Sequence, residues 1–454
     1  MAEAPVPSSL TAPTRGTSSC TAEPRPAPRL PAGALMLAGS LCGPLAALVA
    51  WAQAGSPLDA PPQSVVVIGR AQEKEGKDAL RASSSRIGKG LQDLRDIPQS
   101  VTVVTEKLID DRNLDTVKEA LKATAGISFL AAEGGEEDVR LRGFSLQATG
   151  DVFVDGVRDP AFYERDTFAL DRLEVLRGSA GMLFGRGSTG GAVNQVSKQA
   201  RLWDQTQVDL TLGSHGYRRL VGDFNLKTGD SAALRIGAMH TQADNNGSGT
   251  PLDKRGLSMN FREGIGERDE ISVSLYRLDN NNGMNYGLPW IRPTPTADVK
   301  TTTTLPLDPT TNYAMVSDIN HGTATWGSVT HTHRLEAGGE WRTTARIGSF
   351  TRDQRASSIR FGNAALQGGT AVSLETFSPA SVLTRGTALK IQDMDTVHLQ
   401  SDLSRKVEAL GFTHELLAGV DAAQEDKTVY AARTAAQGGV DLVKPNTTVG
   451  TPED

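Results

Sequence analysis

The stretch Leu170–Lys198 decides the fold: LDRLEVLRGSAGMLFGRGSTGGAVNQVSK. Its first nine residues are amphipathic and strand-like, and Ala192–Lys198 at its end is strand-like again. The segment between them is dense in glycine, with glycines at positions 178, 181, 185, 187, 190 and 191. Glycine lets two backbone segments approach closely and permits a positive φ. We therefore predict two strands joined by a tightly packed glycine loop.

A phosphate-binding loop is an alternative for the same glycines. Residues Gly185–Gly190 match G-x-G-x-x-G, and Asp209 lies at a suitable distance downstream for a ribose contact. That motif requires a buried apolar strand before it and a helix after it. Only the three residues Met182–Phe184 precede it, the segment that follows has strand character, and the lysine of a P-loop is missing. The pattern therefore disfavours a Rossmann-type oxidoreductase, while an ordinary glycine loop stays open.

Composition sets broad limits on the class of protein. The chain has 454 residues, of which 38% are hydrophobic and 22% charged, with a net charge of −6. This length allows about two to four domains, and the negative net charge gives no indication of nucleic acid as a partner. Moderate hydrophobicity is compatible with a membrane β-barrel, because such strands alternate apolar and polar residues.

The N-terminal region predicts a signal peptide over residues 1–54. An apolar run from Leu30 to Ala50 follows a segment rich in Pro, Ala, Ser and Thr, and Ala52-Gln53-Ala54 has the spacing of a cleavage site. A transmembrane anchor is the alternative, because a run of this length could span a bilayer. The only two cysteines, at positions 20 and 42, lie in this region, so a cleaved chain would contain no disulfide.

Residues 92–203 resemble the plug domain of TonB-dependent outer-membrane receptors. The motifs that carry the resemblance are DIPQSVTVV at 96–104, VRLRGF at 139–144, VFVDGVRD at 152–159, RLEVLRG at 172–178 and GRGSTGGAVNQVSK at 185–198. The pattern of this region predicts an α+β domain with strands over 96–105, 138–144 and 151–157 and helices over 106–111 and 116–124.

After Arg201 the helical pattern gives way to alternation. Val208, Leu210 and Leu212 share one face, and a later segment alternates Val397 and Leu399 with polar residues. Short turns at 228–230, 264–268 and 335–339 separate long polar segments at 280–322 and 352–387. Apolar-out strands with short turns on one rim and long loops on the other are typical of outer-membrane barrels. A soluble β-sandwich is the alternative, but it rarely carries loops of such length.

The predicted architecture is an α+β plug domain followed by an antiparallel transmembrane β-barrel. About nine strands fit between Gln205 and Gln424, whereas large plugged barrels have about 22. The domains are then a signal peptide (1–54), a periplasmic leader (55–91), the plug (92–203) and the N-terminal part of the barrel (204–454). We expect a chain truncated in the barrel, because it ends at Asp454 in what reads as a loop.

The resemblance implies a receptor and not an enzyme, with neither catalytic residues nor a permanently bound cofactor or metal. It implies a monomer in the bacterial outer membrane, surrounded by lipid, that imports ferric siderophores and works with TonB and its inner-membrane energising complex. The segment Ser64-Val65-Val66-Val67-Ile68 resembles a TonB box, which acts by adding a strand to a sheet edge of its partner. An ordinary first strand is the alternative for this segment.

Residues 151–177 and 185–198 are most similar to the catecholate-type branch of siderophore receptors, with haem, cobalamin or a glycan as alternative cargo. The resemblance implies ligand contacts in the R-G-F motif and in a ligand-facing loop of the plug. A long barrel loop supplies weaker candidates, Tyr286 and Arg292 beside Trp290. The predicted ligand-binding residues are Arg142, Phe144, Phe162, Tyr163, Arg165 and Trp290. Packing or exposure to solvent is the alternative for each of them.

Two further groups of polar residues receive a structural interpretation. Arg140, Glu174 and Arg177 are predicted to form salt bridges between plug and barrel. His331 and His333 form an H-x-H pair that could bind a metal. Because no third ligand is near in the sequence, we interpret the pair as lumen-facing or interfacial side chains.

Overall fold

The structure, a computed structural model, describes residues 77–130, 138–146, 150–185, 187, 189–245, 250–308, 311–313, 315, 318–336, 338–430 and 437–441. The predicted signal peptide and the segment Ser64–Ile68 lie outside these residues. None of the helices in the described part of the chain has the length and hydrophobicity that a membrane-spanning helix needs.

The plug is built on small sheets with short helices against them. Its strands are β1 Ser84–Ser85, β2 Gln92–Asp93, β3 Ser100–Thr105, β4 Ile127–Leu130, β5 Asp138–Leu141, β6 Phe144–Ser145, β7 Val152–Val154, β8 Val157–Arg158, β9 Leu170–Arg177 and β10 Gly191–Ser197. Its α-helices are α1 Glu106–Asp111, α2 Val117–Leu121 and α3 Gly181–Phe184, and Leu94–Asp96 is a 3-10 turn. The central sheet has the order β3-β9-β10-β7-β8.

Local sequence explains the helix starts. The Thr105 hydroxyl accepts a hydrogen bond from the Leu108 amide at the start of α1. Thr116 and Glu119 form a capping box at the start of α2, which satisfies two amides that would otherwise lack partners. The predicted helix over 106–111 is confirmed, and the helix predicted over 116–124 is shorter, ending at Leu121. The plug core beneath the helices contains Leu121, Leu141, Leu173, Val175 and Val193.

The glycine loop joins β9 to β10, which confirms the two predicted strands, and the two strands pair antiparallel. The short helix α3 precedes Gly185, so the buried strand of a phosphate-binding motif is not present there. Gly191 shows why glycine is required. A Cβ at this position would lie 1.9 Å from the Leu176 carbonyl oxygen and 2.7 Å from a Leu141 methyl carbon, at φ +133°.

The second part of the chain is a sequential antiparallel sheet, in the order of its strands along the chain. The strands are β11 Gln205–Leu212, β12 Arg218–Lys227, β13 Ala233–Asn245, β14 Thr250–Glu263, β15 Asp269–Gly283, β16 Ile319–Arg334, β17 Glu340–Phe361, β18 Val382–Ala409 and β19 Phe412–Val429. A further strand, β20 Gln437–Asp441, pairs with β18. Among the described residues the nine predicted strands are confirmed between Gln205 and Val429.

The predicted turns are confirmed, and both predicted long loops are too long. Residues 228–232, 264–268 and 335–339 connect strands on the rim that we call the short-turn rim. The opposite rim carries the connection 284–318, which is shorter than the predicted loop over 280–322 because β15 and β16 pair as far as Gly283 and Ile319. The predicted loop over 352–387 is wrong in its bounds, because β17 and β18 pair from Phe361 and Leu383 downward and leave only 362–381 as a connection, which contains the 3-10 turn Ala364–Gln367. Residues 351–358 of β17 are polar apart from Ala356, and Ile359 and Leu383 near the strand ends are buried in a small cluster. Alternation with an apolar outward face therefore did not reveal these strand ends.

The two faces of the barrel sheet have opposite chemistry. Val208, Leu210 and Leu212 are 60–72% exposed on the outward face. On the inward face Arg219, Asp223 and Arg235 are buried against the plug. The predicted apolar-out, polar-in arrangement is therefore confirmed.

Replacing Gly191 by alanine should destabilise the plug. The added methyl meets backbone that cannot move independently, and the positive φ adds strain, so we expect a loss of about 2–4 kcal/mol in the free energy of unfolding. Gly181→Ala is the control, because a Cβ there meets nothing within 4 Å. Thermal unfolding of the purified protein measures both variants; equal stability of Gly191→Ala and the wild type would contradict this account of the glycine loop.

Candidate ligand site

A cavity lies between the plug and strands β17–β19, in the half of those strands nearer the 362–381 connection. Its volume is about 490 Å³. We call it the outer cavity. The residues that line it are Gly150, Arg158, Asp159, Pro160, Ala161 and Phe162 from the plug and Arg352, Leu389, Lys390, Gln392, Met394, Thr396, His398, Glu425, Lys427 and Val429 from the barrel.

The lining of the outer cavity is rich in cations. Four of its residues carry a lysine or arginine charge, and two carry a carboxylate. Arg158 is anchored in the plug, because its guanidinium donates to the carbonyl oxygens of Gly150 and Phe184. Arg352 donates to Gln354 on the same strand. An excess of fixed cations in a concave site attracts anions.

Phe162 is the one predicted ligand residue among the lining residues. Its ring is half-buried, and the Lys427 ammonium lies 5.4 Å from the ring centre. This distance is within the range of a cation–π contact. The outer cavity therefore offers an aromatic face and a cation side by side.

Tyr163 and Arg165 occupy a different environment from the ligand-facing loop that the sequence predicts. Both are buried in the plug–barrel interface, with 6% and 4% of their surface exposed. The Tyr163 hydroxyl donates to Asp159 Oδ2 at 2.7 Å, and Arg165 Nη2 donates to the same oxygen at 2.9 Å. Burial, with the Asp159 charge as the next cause, raises the pKa of Tyr163. In this conformation both side chains are occupied by the plug itself, because the Asp159 carboxylate needs donors once it is buried.

The remaining predicted ligand residues do not line the outer cavity. Arg142 and Gly143 form a left-handed turn, with φ values of 53° and 87°. Arg142 and Phe144 are exposed, and Phe144 packs beside Gly190. Trp290, which is 66% exposed, lies in the connection 284–318. The structure therefore does not bring the six predicted residues together, and their ligand contacts stay predictions.

The prediction that Arg140, Glu174 and Arg177 form salt bridges between plug and barrel is wrong. Arg140 pairs with Asp138, and Glu174 accepts from Arg172 and Asn194, all within the plug. Arg177 donates to the Ala125 carbonyl and the Thr102 hydroxyl, also within the plug. Strands β5 and β9 have plug neighbours on both sides, and these neighbours supply the partners.

Other residues form the ion pairs that join plug to barrel. Asp166 binds Arg219 through two hydrogen bonds of 2.7 and 2.9 Å, and Asp159 binds Arg346 at 3.0 Å. Lys198 lies 3.2 Å from Asp223. Further pairs join Glu164 to Lys254 and Arg86 to Glu340. The partners are far apart in sequence, so the local pattern could not identify them.

Lys198 is the centre of one of these clusters. Its ammonium lies 2.9 Å from Glu106 Oε1 in the plug as well as near Asp223 in the barrel. Burial alone would lower the pKa of Lys198, but the Glu106 and Asp223 carboxylates reverse this and raise it. Burial raises the pKa of Glu106 in spite of Lys198. The cluster is therefore a buried network in which each charge depends on the others.

His331 and His333 face outward on β16. Their ring nitrogens lie 3.0 and 2.7 Å from Asp269 Oδ1, across the pair of strands β15 and β16. In the part of the chain that the structure describes, no group of three or more metal-ligating side chains has the arrangement of a metal site. The outward direction fits the interfacial interpretation and not the lumen-facing one.

The geometry defines a β-barrel wall with a domain packed against its inner face. Residues 93–192 match the family described as TonB-dependent Receptor Plug Domain. This part of the chain is therefore a TonB-dependent receptor plug domain, and the resemblance predicted from the sequence is confirmed.

Curated relatives and solved structures agree with this assignment. The chain is 29% identical over 219 residues to the probable TonB-dependent siderophore receptor PiuA of Acinetobacter baumannii, covering 47% of this chain and 29% of that protein. It is 24% identical over 367 residues to the catecholate siderophore receptor Fiu of Escherichia coli K12, covering 78% of this chain and 47% of Fiu. The chain thus spans half or less of these relatives.

The fold is confirmed by two crystal structures. The closed form of the ferric-catecholate import receptor Fiu from E. coli K12 matches with a TM-score of 0.70 and 21% identity, covering 82% of this chain and 52% of that one. The siderophore receptor PiuA from A. baumannii matches with a TM-score of 0.67 and 22% identity, covering 82% and 51%. The chain has the fold of a plug domain followed by barrel strands.

Removing the charge of Lys198 should loosen the plug. Lys198→Met leaves Glu106 and Asp223 with one cation fewer, and breaking a buried pair costs about 3–5 kcal/mol. We expect faster cleavage of the plug by trypsin in the folded protein. Lys227→Met is the matched control, since Lys227 is exposed at the end of β12. Equal cleavage rates for the two variants would show that the cluster does not hold the plug.

Proposed function

We propose that the protein is a TonB-dependent receptor of the bacterial outer membrane that binds a ferric siderophore of the catecholate class. The observation that carries the proposal is the outer cavity, where Arg158, Arg352, Lys390 and Lys427 surround a space that the plug closes from below. Iron(III) held by catecholates is a bulky anion with aromatic rings. Cations and the Phe162 ring are the groups that such an anion would contact.

The outward face of the barrel supports a position in the membrane. Large apolar side chains such as Leu210, Leu275, Ile347 and Val420 are half-exposed or more on this face. A band of this kind on antiparallel strands is buried by lipid in outer-membrane barrels. We propose that the short-turn rim faces the periplasm and that the connections 284–318 and 362–381 face outward.

In the proposed function the receptor moves its ligand and catalyses no reaction. A plug held against the barrel by buried ion pairs prevents free diffusion of a bulky ligand, so transport needs movement of the plug and an energy source elsewhere. We propose that Ser64–Ile68 is the segment on which TonB acts by strand addition. The match of residues 93–192 to the plug family supports this coupling.

Iron uptake tests the proposed function. The protein is expressed from its own gene in an iron-starved host that lacks its own siderophore receptors, and uptake of radioactive iron is followed as catecholate and as hydroxamate chelates. We expect catecholate-dependent uptake that disappears when Ser64–Ile68 is deleted, because the deletion removes the proposed contact with TonB. If neither chelate is taken up, the siderophore assignment is wrong, and haem, cobalamin or a glycan becomes the candidate cargo.

The cations of the outer cavity should determine affinity. Replacing Lys390 and Lys427 together by glutamine shortens each side chain by one atom, keeps it polar and removes two charges. We expect the affinity for an iron(III)–catecholate complex to fall about tenfold or more. Binding is measured on cells treated with an uncoupler, so that transport does not contribute. Arg255→Gln, on the outward face of β14 and 67% exposed at its side chain, serves as the control. An unchanged affinity in the double variant would place the ligand elsewhere.

A further inference from the structure

A second, smaller cavity lies below the outer one, toward the short-turn rim. Its volume is about 90 Å³. We call it the inner cavity. Strands β15–β17 give it a wall of hydroxyl groups, from Ser272, Ser274, Ser328, Thr330, Thr332 and Thr344. The plug contributes Val154, Asp155 and Val157 to the opposite side.

The inner cavity also carries an excess of positive charge. Five of its lining residues are arginines, and two, Asp155 and Glu270, are acidic. Most of these arginines are already paired. Arg262 and Arg334 share Glu270, and Arg86 pairs with Glu340.

Arg342 differs from the paired arginines. Its side chain has no hydrogen bond or ion pair with any residue that the structure describes, and the charges of Arg86, Asp155, Glu340 and Asp402 act on it only through space. It lies on the inward face of β17, four residues before Arg346 and on the same side of the strand. A cation without a direct partner beside a wall of hydroxyls is suited to anionic oxygens.

The ion pair between Asp159 and Arg346 separates the two cavities. Asp159 lines the outer cavity, and Arg346 lines the inner one. Their side chains are 0% and 3% exposed, and the bond between them is 3.0 Å long. Arg346 also lies 4.2 Å from the centre of the Trp326 ring and donates to the Val154 carbonyl oxygen at 3.3 Å. The pair therefore lies between the two cavities, with one partner in the lining of each.

The two oxygens of Asp159 have separate partners. Arg346 binds Oδ1, whereas Tyr163 and Arg165 both bind Oδ2 within the plug. If Arg346 leaves, the carboxylate still has two donors and is not left without partners in the interior. Exchange of Arg346 from Asp159 to another anion is consequently much less costly than breaking an isolated buried pair.

We propose that the inner cavity is a transit site for the same anionic complex that the outer cavity binds. During transport Arg346 exchanges Asp159 for oxygens of the complex, and Arg342 binds the complex next along β17. The inference rests on the proposed function. The inner cavity is too small for a siderophore in this conformation, so the plug segment 154–159 must move away while the hydroxyl wall of the barrel stays in place.

Arg342 gives the sharpest test, because it is remote from the outer cavity and holds no structural ion pair. Arg342→Gln should leave the affinity of uncoupler-treated cells for an iron(III)–catecholate complex within about twofold of the wild type, while the maximal rate of iron uptake falls about fivefold or more. Arg342→Lys, which keeps the charge, should recover part of that rate. Arg277→Gln, exposed on the outward face of β15, is the matched control, and immunoblots of outer membranes give the amount of each variant.

The outcomes separate the inference from the proposed function. An unchanged uptake rate in Arg342→Gln, or equal losses in Arg342→Gln and Arg277→Gln, would overturn the transit site while the receptor function stands. A loss of affinity in uncoupler-treated Arg342→Gln cells would place Arg342 in the first binding step and also overturn it. Absence of binding and uptake in the wild type would reject the proposed function itself, and the inference with it.

Discussion

Charge buried between plug and barrel is the constraint on which the rest of the structure depends. Asp166–Arg219, Asp159–Arg346 and Lys198–Asp223 all cross this interface with both partners almost inaccessible to water. Removing one partner of such a pair costs about 3–5 kcal/mol, whereas the intact pair adds little net stability, because desolvation offsets most of the attraction. The interface therefore specifies one position of the plug strongly, yet entry of water would weaken it. Entry of water would not weaken a purely apolar interface in the same way, because such an interface contains no ion pairs.

Much of the fold can be predicted from the sequence because its signals are local. Alternation of apolar and polar residues identifies the barrel strands, and Thr116 with Glu119 marks the start of a helix. The glycine loop is also a local signal, since Gly191 packs against the neighbouring strand. The ends of β17 and β18 were missed because they lie beyond the outward apolar band, and their apolar residues, such as Ile359 and Leu383, are buried in a separate cluster.

The candidate site could be predicted only in part, because its partners come from distant segments. Asp159 and Arg346 are 187 residues apart, and nothing near either residue identifies the other. Tyr163 and Arg165 were predicted to face a ligand because aromatic and cationic residues are suited to that role, but the buried Asp159 binds both. The sequence did contain a signal that places the cations of β18 on the inward face of the barrel. Val397 and Leu399 face outward, so His398 between them must face the lumen, and Lys390 lies on the same face of β18.

The division of partners at Asp159 bears on how the plug could move. Its bonds to Tyr163 and Arg165 lie within one short segment, which Arg165 closes further by donating to the Tyr163 carbonyl oxygen at 3.0 Å. Breaking the barrel contact to Arg346 leaves these bonds intact, so the segment keeps its internal shape. Its other barrel contacts, from Glu164 to Lys254 and Asn280, must also break before residues 159–165 can shift. The Arg346 guanidinium meanwhile keeps its contact with Trp326 on the barrel wall. At the Asp159–Arg346 pair an anion arriving from the outer cavity can compete directly for the arginine, which removes one of the contacts that hold this segment to the barrel.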